Sequence, residues 1–397
     1  MKKIPLGKTG LMVTKTAMGC LPVQRCDKDY AVRLLQAAYE GGINYFDTAN
    51  AYTDSEEKIG LALSDVRDRI VISTKSAARD KDGVLAHIEN SLRMMKTDHI
   101  DLFQFHQVPE VPDPQDPNGA YAGALEAKAR GWIDHIGVTT HRVKVAEDCI
   151  ASGLFETLQF PFSYISSERD LALANKCREA GMGYIAMKGL AGGMLTNVRA
   201  CHAFMKQYDN VVPIWGIQKL EELEQWLTVA EEDPDLDEEL NAFIKKERQE
   251  LSGSFCRSCG YCMPCPVGIE IRNCARMNML LRRSPWQQYM TPEWQAKMNQ
   301  IENCLECHSC SSRCPYQLDT PNLLKYMLKD YREFYESHKD LLQTCCTSDR
   351  AHSVSASGPS AGSLRRKPQG AAGDLCHGHD HDPDGLRQER RGRLERG

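Results

Sequence analysis

The stretch GGINYFDTANAY, residues 41–52, decides the fold of this 397-residue chain. Two glycines end a helical pattern, and the apolar run that follows them indicates a short buried strand. Asp47 and Thr48 come directly after that run. Because α/β proteins keep their chemistry at the carboxyl ends of parallel strands, we expect a functional site at this strand exit.

Two later strand exits repeat the arrangement. The apolar run at residues 70–74 ends on Lys75, the run at residues 100–105 ends on His106, and Tyr52 follows the first strand. These strand ends supply a carboxylate, a phenol, an ammonium and an imidazole. Taken singly, each residue also fits a structural role, such as a helix cap, a packed ring or a solvated lysine.

Short strands and amphipathic helices alternate through the first 230 residues. Eight strand candidates, from residues 16–19 to residues 211–215, are separated by helical patterns, of which the seventh, at residues 200–208, is short and weak. Strict alternation of this kind predicts an α/β fold, a (β/α)8 TIM barrel.

In chain order, the carboxylate, phenol, ammonium and imidazole resemble the catalytic tetrad of the aldo/keto reductase superfamily. The opening LGKTGLMVTKTAMG, residues 6–19, resembles that family's N-terminal hairpin and first barrel strand. The resemblance implies a barrel that reduces aldehydes or ketones with a nicotinamide. Tyr52 would be the general acid, and the Lys75 ammonium would lower its pKa. Asp47 would hold Lys75, while His106 would orient the carbonyl.

The same resemblance implies cofactor contacts at later strand ends. Thr139 and Thr140 stand in place of a Ser-Asn pair, and Gln159 matches a glutamine that holds the nicotinamide carboxamide. The stretch GLAGGML resembles the loop around the pyrophosphate, and GIQK resembles an adenosine-phosphate loop at a helix N-terminus. The predicted contacts are Thr139, Thr140, Gln159, Gly189, Leu190, Gly192, Gly216 and Lys219.

The residues after Lys219 bear on the choice between NADH and NADPH. Glu221 and Glu222 follow it, and Trp226 stands where relatives place an adenine-contacting Asn. Since two carboxylates repel a 2′-phosphate, this loop favours NADH, and NADPH is the alternative.

Nine of the 17 cysteines lie between residues 256 and 314. Short spacings in a chain that begins without a secretion signal favour metal over disulfides. The candidate ligands form two runs, each ending in Cys-Pro: Cys256, Cys259, Cys262 and Cys265, then Cys304, Cys307, Cys310 and Cys314. The second run matches the bacterial ferredoxin pattern, whose last cysteine ligates the other cluster.

That pattern implies two [4Fe-4S] clusters with crossed ligands. One cluster would take Cys256, Cys259, Cys262 and Cys314, and the other would take Cys304, Cys307, Cys310 and Cys265. The first run is one residue short of the usual spacing before its Cys-Pro. Two tetrahedral zinc knots, each built from one run, are the alternative.

Three segments follow from these patterns. Residues 1–232 form the barrel, residues 233–342 a small, mainly α ferredoxin-type domain with flanking helices, and residues 343–397 a disordered tail. A barrel with such a module resembles the ferredoxin-tailed aldo/keto reductases of anaerobic bacteria and archaea.

The net charge and the apolar pattern indicate which kinds of partner to expect. A net charge of −5 and the lack of a long apolar run give no sign of a nucleic-acid or membrane partner, and we expect a cytoplasmic protein. The predicted function is NAD(P)H-dependent reduction of a small aldehyde or ketone, or oxidation of the alcohol. The alternatives are an electron-transfer protein with a ferredoxin-like partner, its barrel serving as a docking platform, and a nicotinamide sensor.

Overall fold

Eight parallel strands close into a barrel, in which each strand pairs with its neighbours in chain order and the last strand pairs with the first. The computed structural model describes residues 1–251, 255–284 and 286–348, with side chains up to residue 341. A hairpin of β1 (Lys3–Pro5) and β2 (Met12–Thr14) precedes the barrel. The barrel strands are β3 (Ala17–Gly19), β4 (Tyr45–Asp47), β5 (Val71–Ser76), β6 (Ile100–Phe105), β7 (Ile133–Thr139), β8 (Thr157–Pro161), β9 (Gly183–Met187) and β10 (Val211–Gly216). The predicted TIM barrel is confirmed.

Eight helices alternate with these strands. They are α1 (Lys28–Glu40), α2 (Ser55–Leu63), α3 (Lys81–Met95), α4 (Ala120–Ala129), α5 (Val143–Ser152), α6 (Glu168–Glu179), α7 (Val198–Lys206) and α8 (Leu220–Glu232). Several of these helices begin at a side-chain cap. At the start of α1, the Asp27 side chain accepts a hydrogen bond from the backbone N–H of Tyr30. The weak seventh pattern is a complete helix that begins at its Asn197 cap, and its buried residues run without a break from Ala200 to Met205.

The hairpin closes the amino-terminal end of the barrel. Leu6 and Val13 pack in one cluster with the inward-facing Tyr45 and Leu102. Gly7 has a φ of +57°, and a Cβ there would lie 2.1 Å from the backbone nitrogen of Gly183, so only glycine fits where the hairpin meets β9. Any pocket for a substrate must therefore open at the carboxyl ends of the strands.

The segment after the barrel is helical and packs on the barrel. Its helices are α9 (Glu238–Glu250), α10 (Ile271–Cys274), α11 (Met277–Arg283), α12 (Pro292–Asn299), α13 (Ser309–Ser312) and α14 (Thr320–Ser348). Residues Met1–Leu342 form one compact unit, and a domain boundary at residue 232 stays a prediction. Beyond Ser348 the predicted tail lies outside the described residues. Within the part of the chain that is described, no helix is long and apolar enough to cross a membrane.

Candidate active site and cysteine cavities

Two of the predicted catalytic side chains form a buried ion pair at the ends of neighbouring strands. Asp47 ends β4, and Lys75 lies on the adjacent strand β5. Lys75 Nζ lies 2.6 Å from Asp47 Oδ1, with both side chains at most 3% exposed, and it also donates to the Thr48 carbonyl. Burial lowers the pKa of Lys75, but the Asp47 carboxylate together with Tyr52 and Cys20 outweighs that effect, and the pKa lies above its ordinary value. The lysine therefore stays charged in the interior.

The phenol and the imidazole lie beside this ion pair. Tyr52 follows β4, and Lys75 Nζ lies 5.4 Å from the centroid of its ring. His106 follows β6, and its backbone N–H donates to the Ser76 carbonyl over 2.8 Å. The Tyr52 and His106 rings meet edge to face, with centroids 5.8 Å apart. All four predicted residues thus lie together at the open end of the barrel.

Burial sets the protonation of both rings. Desolvation raises the pKa of the Tyr52 phenol, and the opposing effect of the Lys75 ammonium is smaller. The Lys75 ammonium does act to lower this pKa, but the net shift is upward because the ring is buried, which the sequence does not show. Desolvation, followed by the charges of Lys75 and Arg79, lowers the pKa of His106 to about 3. The imidazole is neutral at physiological pH.

A ring of amide and hydroxyl groups surrounds Asp47. Ser73 Oγ donates to Asp47 Oδ2 over 2.6 Å, and Gln104 Nε2 donates to the same oxygen over 3.2 Å. Gln104 Nε2 also donates to Gln159 Oε1 over 2.9 Å. Gln159 Nε2 in turn lies 3.5 Å from Asp47 Oδ1. Gln159, predicted to contact a nicotinamide, is therefore engaged in the network that holds the catalytic carboxylate.

The two threonines predicted as cofactor contacts hold the chain that follows His106. Thr139 Oγ1 accepts from the Gln107 N–H over 2.8 Å. Thr140 Oγ1 donates to the Val108 carbonyl over 3.2 Å and accepts from the Arg142 N–H. Their hydroxyls thus hold the loop that follows His106, and a contact with a nicotinamide carboxamide stays a prediction.

The glycine-rich loop after β9 packs tightly on a pair of indoles. A Cβ at Gly189 would lie 2.4 Å from Cζ3 of Trp215, so only glycine allows this approach. Trp215 stacks on Trp226 with centroids 3.8 Å apart. Trp226 is therefore part of the core rather than a surface for adenine. Leu190 is half-buried, and its carbonyl accepts the N–H of Gly193.

Side chains of the cysteine-bearing segment hold the same loop. Arg276 Nη1 donates to the Gly192 carbonyl over 2.9 Å. Lys188, at the start of the loop, donates to the Ser258 carbonyl over 3.3 Å. The loop predicted to bind a pyrophosphate therefore also contacts the C-terminal segment.

A carboxylate occupies the N-terminus of α8. Gly216 ends β10, and the backbone N–H groups of Gln218 and Lys219 donate to Glu222 Oε2 over 2.8 and 3.1 Å. The resemblance places an adenosine phosphate at this turn. Because Glu222 already neutralises these donors, a second anion would meet its negative charge.

The eight predicted cysteine ligands line two cavities. The first is lined by Cys256, Cys259, Cys262 and Cys314. The second is lined by Cys265, Cys304, Cys307 and Cys310, with Cys262 on the shared side. Each cavity therefore takes its cysteines from both runs, in the crossed arrangement that the ferredoxin pattern predicts.

The cysteine sulfurs are spread too widely for a single small ion. Four thiolates at 2.3 Å from one zinc lie about 3.8 Å from one another. Among the described residues, the one group with three ligand atoms within 4.8 Å of each other is His99, Asp101 and Asp134, and it contains no cysteine. Asp101 of that group is already paired with Arg67 at 2.6 Å. The two cavities fit polynuclear clusters better than the alternative zinc knots.

Comparison with known proteins identifies both parts of the chain. The profile of the Aldo/keto reductase family matches residues 10–201, and that of a 4Fe-4S dicluster domain matches residues 255–319. The uncharacterized oxidoreductase YrpG of Bacillus subtilis (strain 168) is 30% identical over 223 residues, which cover 48% of this chain and 67% of YrpG. The chain belongs to the aldo/keto reductase family, and it is an oxidoreductase with an iron–sulfur module.

Solved structures share the barrel. The holo form of aldo-keto reductase AKR11C1 from Bacillus halodurans superposes with a TM-score of 0.55 at 23% identity, over 62% of this chain and 96% of that one. An aldo/keto reductase from Klebsiella pneumoniae in complex with NADP and acetate gives a TM-score of 0.53 at 20% identity, over 62% and 95% of the two chains. These likenesses support the fold alone.

Three residues at the site escape the sequence analysis. Gln104 contacts Asp47 from within a largely apolar strand, where an amide at an inward position is the only signal. His141 follows the two threonines, and its Nδ1 lies 3.1 Å from the hydroxyl of Tyr261 in the module. A tyrosine between two cysteine ligands gives no sign in the sequence that it reaches the barrel.

Proposed function

We propose that this oxidoreductase reduces a small aldehyde or ketone to the alcohol with NADH or NADPH, and catalyses the reverse oxidation when the alcohol is in excess. The observation that carries the proposal is the buried Asp47–Lys75 pair at 2.6 Å, placed beside the Tyr52 phenol and the His106 imidazole. In carbonyl reduction a hydride goes to carbon and a proton to oxygen, and this group of side chains suits the second task.

Each residue has a defined task. A bound reduced nicotinamide supplies the hydride. Neutral His106 donates a hydrogen bond to the carbonyl oxygen and orients it. The Tyr52 hydroxyl gives its proton to that oxygen, and the Lys75 ammonium stabilises the phenolate that remains. Asp47 keeps the ammonium charged and in place, and solvent returns the proton to Tyr52.

The chain's own groups fit a dinucleotide phosphate at the glycine-rich loop. Gly192 and Gly193 have φ values of +71° and +87°, and nothing lies within 4 Å of a Cβ built at Gly193. The Lys188 ammonium begins this loop. The Gly193 N–H already donates to the Leu190 carbonyl, so the open space beside the loop and the Lys188 cation are what the chain offers a pyrophosphate. Gly189, Leu190 and Gly216 shape the loops, and Lys219 starts α8.

The two cavities fit two [4Fe-4S] clusters, which we propose as resident groups of the module. Thiolates are the ligands that such clusters take, and each cavity presents four cysteines. Anaerobically purified protein should contain about eight iron and eight sulfide per chain. Stoichiometric zinc in their place would exclude the proposal.

The test of the reductase uses one substitution. Tyr52→Phe removes the proton donor and keeps the ring, so NADH-dependent reduction of small aldehydes should fall by at least about 100-fold. Binding of the coenzyme, measured by fluorescence titration, should remain within about twofold. Unchanged turnover would exclude Tyr52 as the acid.

A second candidate function is electron exchange with a ferredoxin-like protein. Cys307 of the second cavity is exposed, and the adjacent Leu305 is 66% exposed, so this side of the module is open to a partner. If this function is the principal one, dithionite-reduced protein should reduce a bacterial ferredoxin while neither coenzyme is consumed with any aldehyde. Coenzyme-dependent turnover with no ferredoxin reduction would exclude it.

A further inference from the structure

His141 lies where the barrel and the iron–sulfur module meet. It follows β7, the neighbour of the His106 strand β6 in the barrel, and it is 4% exposed. Its ring meets the Tyr261 ring edge to face, with centroids 5.2 Å apart and His141 Nδ1 3.1 Å from the phenol oxygen. One ring nitrogen is thus fixed by the module.

The other nitrogen has no partner in the protein. His141 Nε2 is fully buried and makes no hydrogen bond to any part of the chain that the structure describes. Leaving a buried polar atom unpaired is unfavourable, so such atoms in native proteins usually serve a ligand or a water. Burial, the Lys188 ammonium and the His106 imidazole lower the pKa of His141 far below its ordinary value. The ring is therefore neutral and lies within the electrostatic reach of the catalytic histidine.

We propose that His141 is a second substrate-binding imidazole, which binds an oxygen on the carbon next to the carbonyl that His106 orients. Tyr261 of the iron–sulfur module is its positioning residue. The two histidines follow neighbouring strands, which lie about 4.8 Å apart, so both can contact one small molecule. The preferred substrates are then 2-hydroxy aldehydes or 2-oxo acids rather than simple aldehydes.

Tyr261 decides which nitrogen of His141 carries the proton. The Tyr261 hydroxyl lies within hydrogen-bond distance of Nδ1 and can donate to it. The proton of the neutral imidazole then lies on Nε2, which donates to the hydroxyl or carboxylate oxygen of the substrate. Arg142, whose guanidinium carbon lies 5.8 Å from the centroid of the Tyr261 ring, packs on the phenol. The module thus positions a substrate-binding side chain of the barrel, which gives it a role in selectivity that is separate from electron transfer.

This inference rests on the proposed reductase function, and three two-carbon substrates test it in the full holoprotein. Acetaldehyde has no second oxygen, glycolaldehyde has a hydroxyl and glyoxylate has a carboxylate. His141→Asn keeps a polar atom near Nδ1 and loses the one at Nε2, whereas the longer His141→Gln side chain can restore it. We expect KM to rise about tenfold in His141→Asn for glycolaldehyde, glyoxylate or both, with acetaldehyde unchanged and His141→Gln close to wild type. Which of the two responds distinguishes a hydroxyl ligand from a carboxylate.

Tyr261→Phe should also raise KM for the substrates that respond to His141→Asn, by a smaller factor. The kcat for acetaldehyde and the iron content should stay unchanged. Tyr326→Phe, at a tyrosine of α14 that is 57% exposed, is the matched control and should change nothing. Equal losses for all three substrates would mean that His141 is structural and would overturn the inference. So would an unchanged KM in His141→Asn.

A binding measurement separates failure of the inference from failure of the reductase. Calorimetric titration with glycolate needs no turnover, and we expect about tenfold weaker binding to His141→Asn than to wild type. If the wild type reduces none of the three substrates but shows this difference, the subsite stands and the reductase proposal fails. If the wild type reduces these substrates but glycolate binds wild type and His141→Asn equally well, or binds neither protein, the inference about His141 fails and the reductase proposal stands.

Discussion

Asp47 has two oxygens with different partners. Oδ1 pairs with Lys75, while Oδ2 accepts from Ser73 and Gln104. Because both oxygens are engaged, the carboxylate cannot rotate away from the lysine, and the ammonium keeps its place beside the Tyr52 ring. The position of the acid is thus fixed by groups that do not touch the substrate.

The pKa values of the tetrad predict a flat pH profile. Reduction requires the protonated Tyr52 phenol, and burial raises the pKa of that phenol above its ordinary value near 10. The acid form is therefore complete at neutral pH and is lost only as the pH rises through the raised pKa. His106, with a pKa of about 3, adds no ionisation between pH 5.5 and 9. We expect kcat/KM for reduction to vary less than about twofold over this range.

Steady-state rates across that interval check the profile. A break near pH 6.5 would show that His106 titrates at its ordinary value. A fall beginning near pH 8 would show that the Lys75 charge outweighs burial at Tyr52. The same measurement on Lys75→Met should show a much lower rate and no fall below pH 10.

At the scale of single residues, the four candidate residues can be found in the sequence because each lies at or shortly after a strand with a clear apolar signal, and the structure brings their side chains together. The sequence predicts supporting contacts poorly. Gln104 and Gln159 meet across the barrel, and their pairing depends on strand order and stagger, which no local pattern contains. The sign of the Tyr52 pKa shift is missed for a related reason, since desolvation depends on what covers the ring.

Among the helices and strands, α8 bears most directly on which coenzyme the protein prefers. Its first turn is occupied by the Glu222 carboxylate, which accepts from two backbone N–H groups. In other proteins a helix N-terminus is a site for phosphate. Here the helix provides its own anion, so a coenzyme with a 2′-phosphate meets repulsion where it would otherwise find donors.

Glu222→Gln should shift coenzyme preference towards NADPH. The amide oxygen can still accept from the backbone while the charge is gone, so the turn is kept. We expect the ratio of kcat/KM for NADPH to that for NADH to rise by about tenfold or more, because like charges at close range cost several kcal/mol. Steady-state kinetics with both coenzymes measure the ratio.

Glu221→Gln is the control for that experiment. Glu221 is an exposed carboxylate in the same turn, where solvent and salt screen its charge. Its removal should change the ratio by less than about threefold. An equal shift in both variants would mean that net charge, rather than the carboxylate at the helix N-terminus, sets the preference.

The strand and helix pattern of the barrel is visible in the sequence because each βα unit repeats the same periodicity. The helices of the module are less visible. Elements such as α10 (Ile271–Cys274) and α13 (Ser309–Ser312) are four residues long. A helix of four residues is barely one turn long, so amphipathic periodicity has no room to appear.

In the whole molecule, helix α9 joins the module to the barrel. Glu247 of α9 is buried, accepts from the Tyr164 hydroxyl of the barrel over 3.0 Å and pairs with Arg283 of the module at 2.8 Å. Arg283 also donates to the Met194 carbonyl in the loop after β9. One buried carboxylate thus connects three parts of the chain.

Glu247→Ala should lower the free energy of unfolding by about 2–3 kcal/mol, since it leaves the Arg283 guanidinium and the Tyr164 hydroxyl short of a partner. The midpoint of anaerobic urea denaturation measures the change. Glu250→Ala is the matched control, because Glu250 pairs with the same arginine through a side chain that is 48% exposed. It should cost less than about 1 kcal/mol. Equal costs would show that the buried position of Glu247 is unimportant.

Crossed ligation of the two clusters predicts how the loss of one cysteine changes the iron content of the whole molecule. Cys314 lies in the second run of the sequence but lines the cavity of the first. Cys314→Ser should therefore remove the cluster shared with Cys256, Cys259 and Cys262, and leave about four iron per chain. Iron and sulfide analysis, with electron paramagnetic resonance of the reduced protein, measures what remains.

Cys274→Ser is the matched control for ligation. Cys274 is a buried cysteine of the module whose thiol donates to the Lys297 carbonyl over 3.8 Å, and it is not among the cysteines that line the two cavities. Its substitution should leave iron at the wild-type level. Loss of iron in Cys274→Ser, or its full retention in Cys314→Ser, would contradict the assignment.

The stacked indoles of Trp215 and Trp226 also provide an optical signal. Their ring planes are inclined by 14° and 3.8 Å apart, a separation at which two chromophores share their excitation. Trp215 also touches Gly189, so a ligand that moves the glycine-rich loop alters the environment of one member of the pair. The near-ultraviolet circular dichroism and the tryptophan emission of the unlabelled protein should therefore change when coenzyme binds. Occupancy of the barrel could then be followed in real time without any substrate.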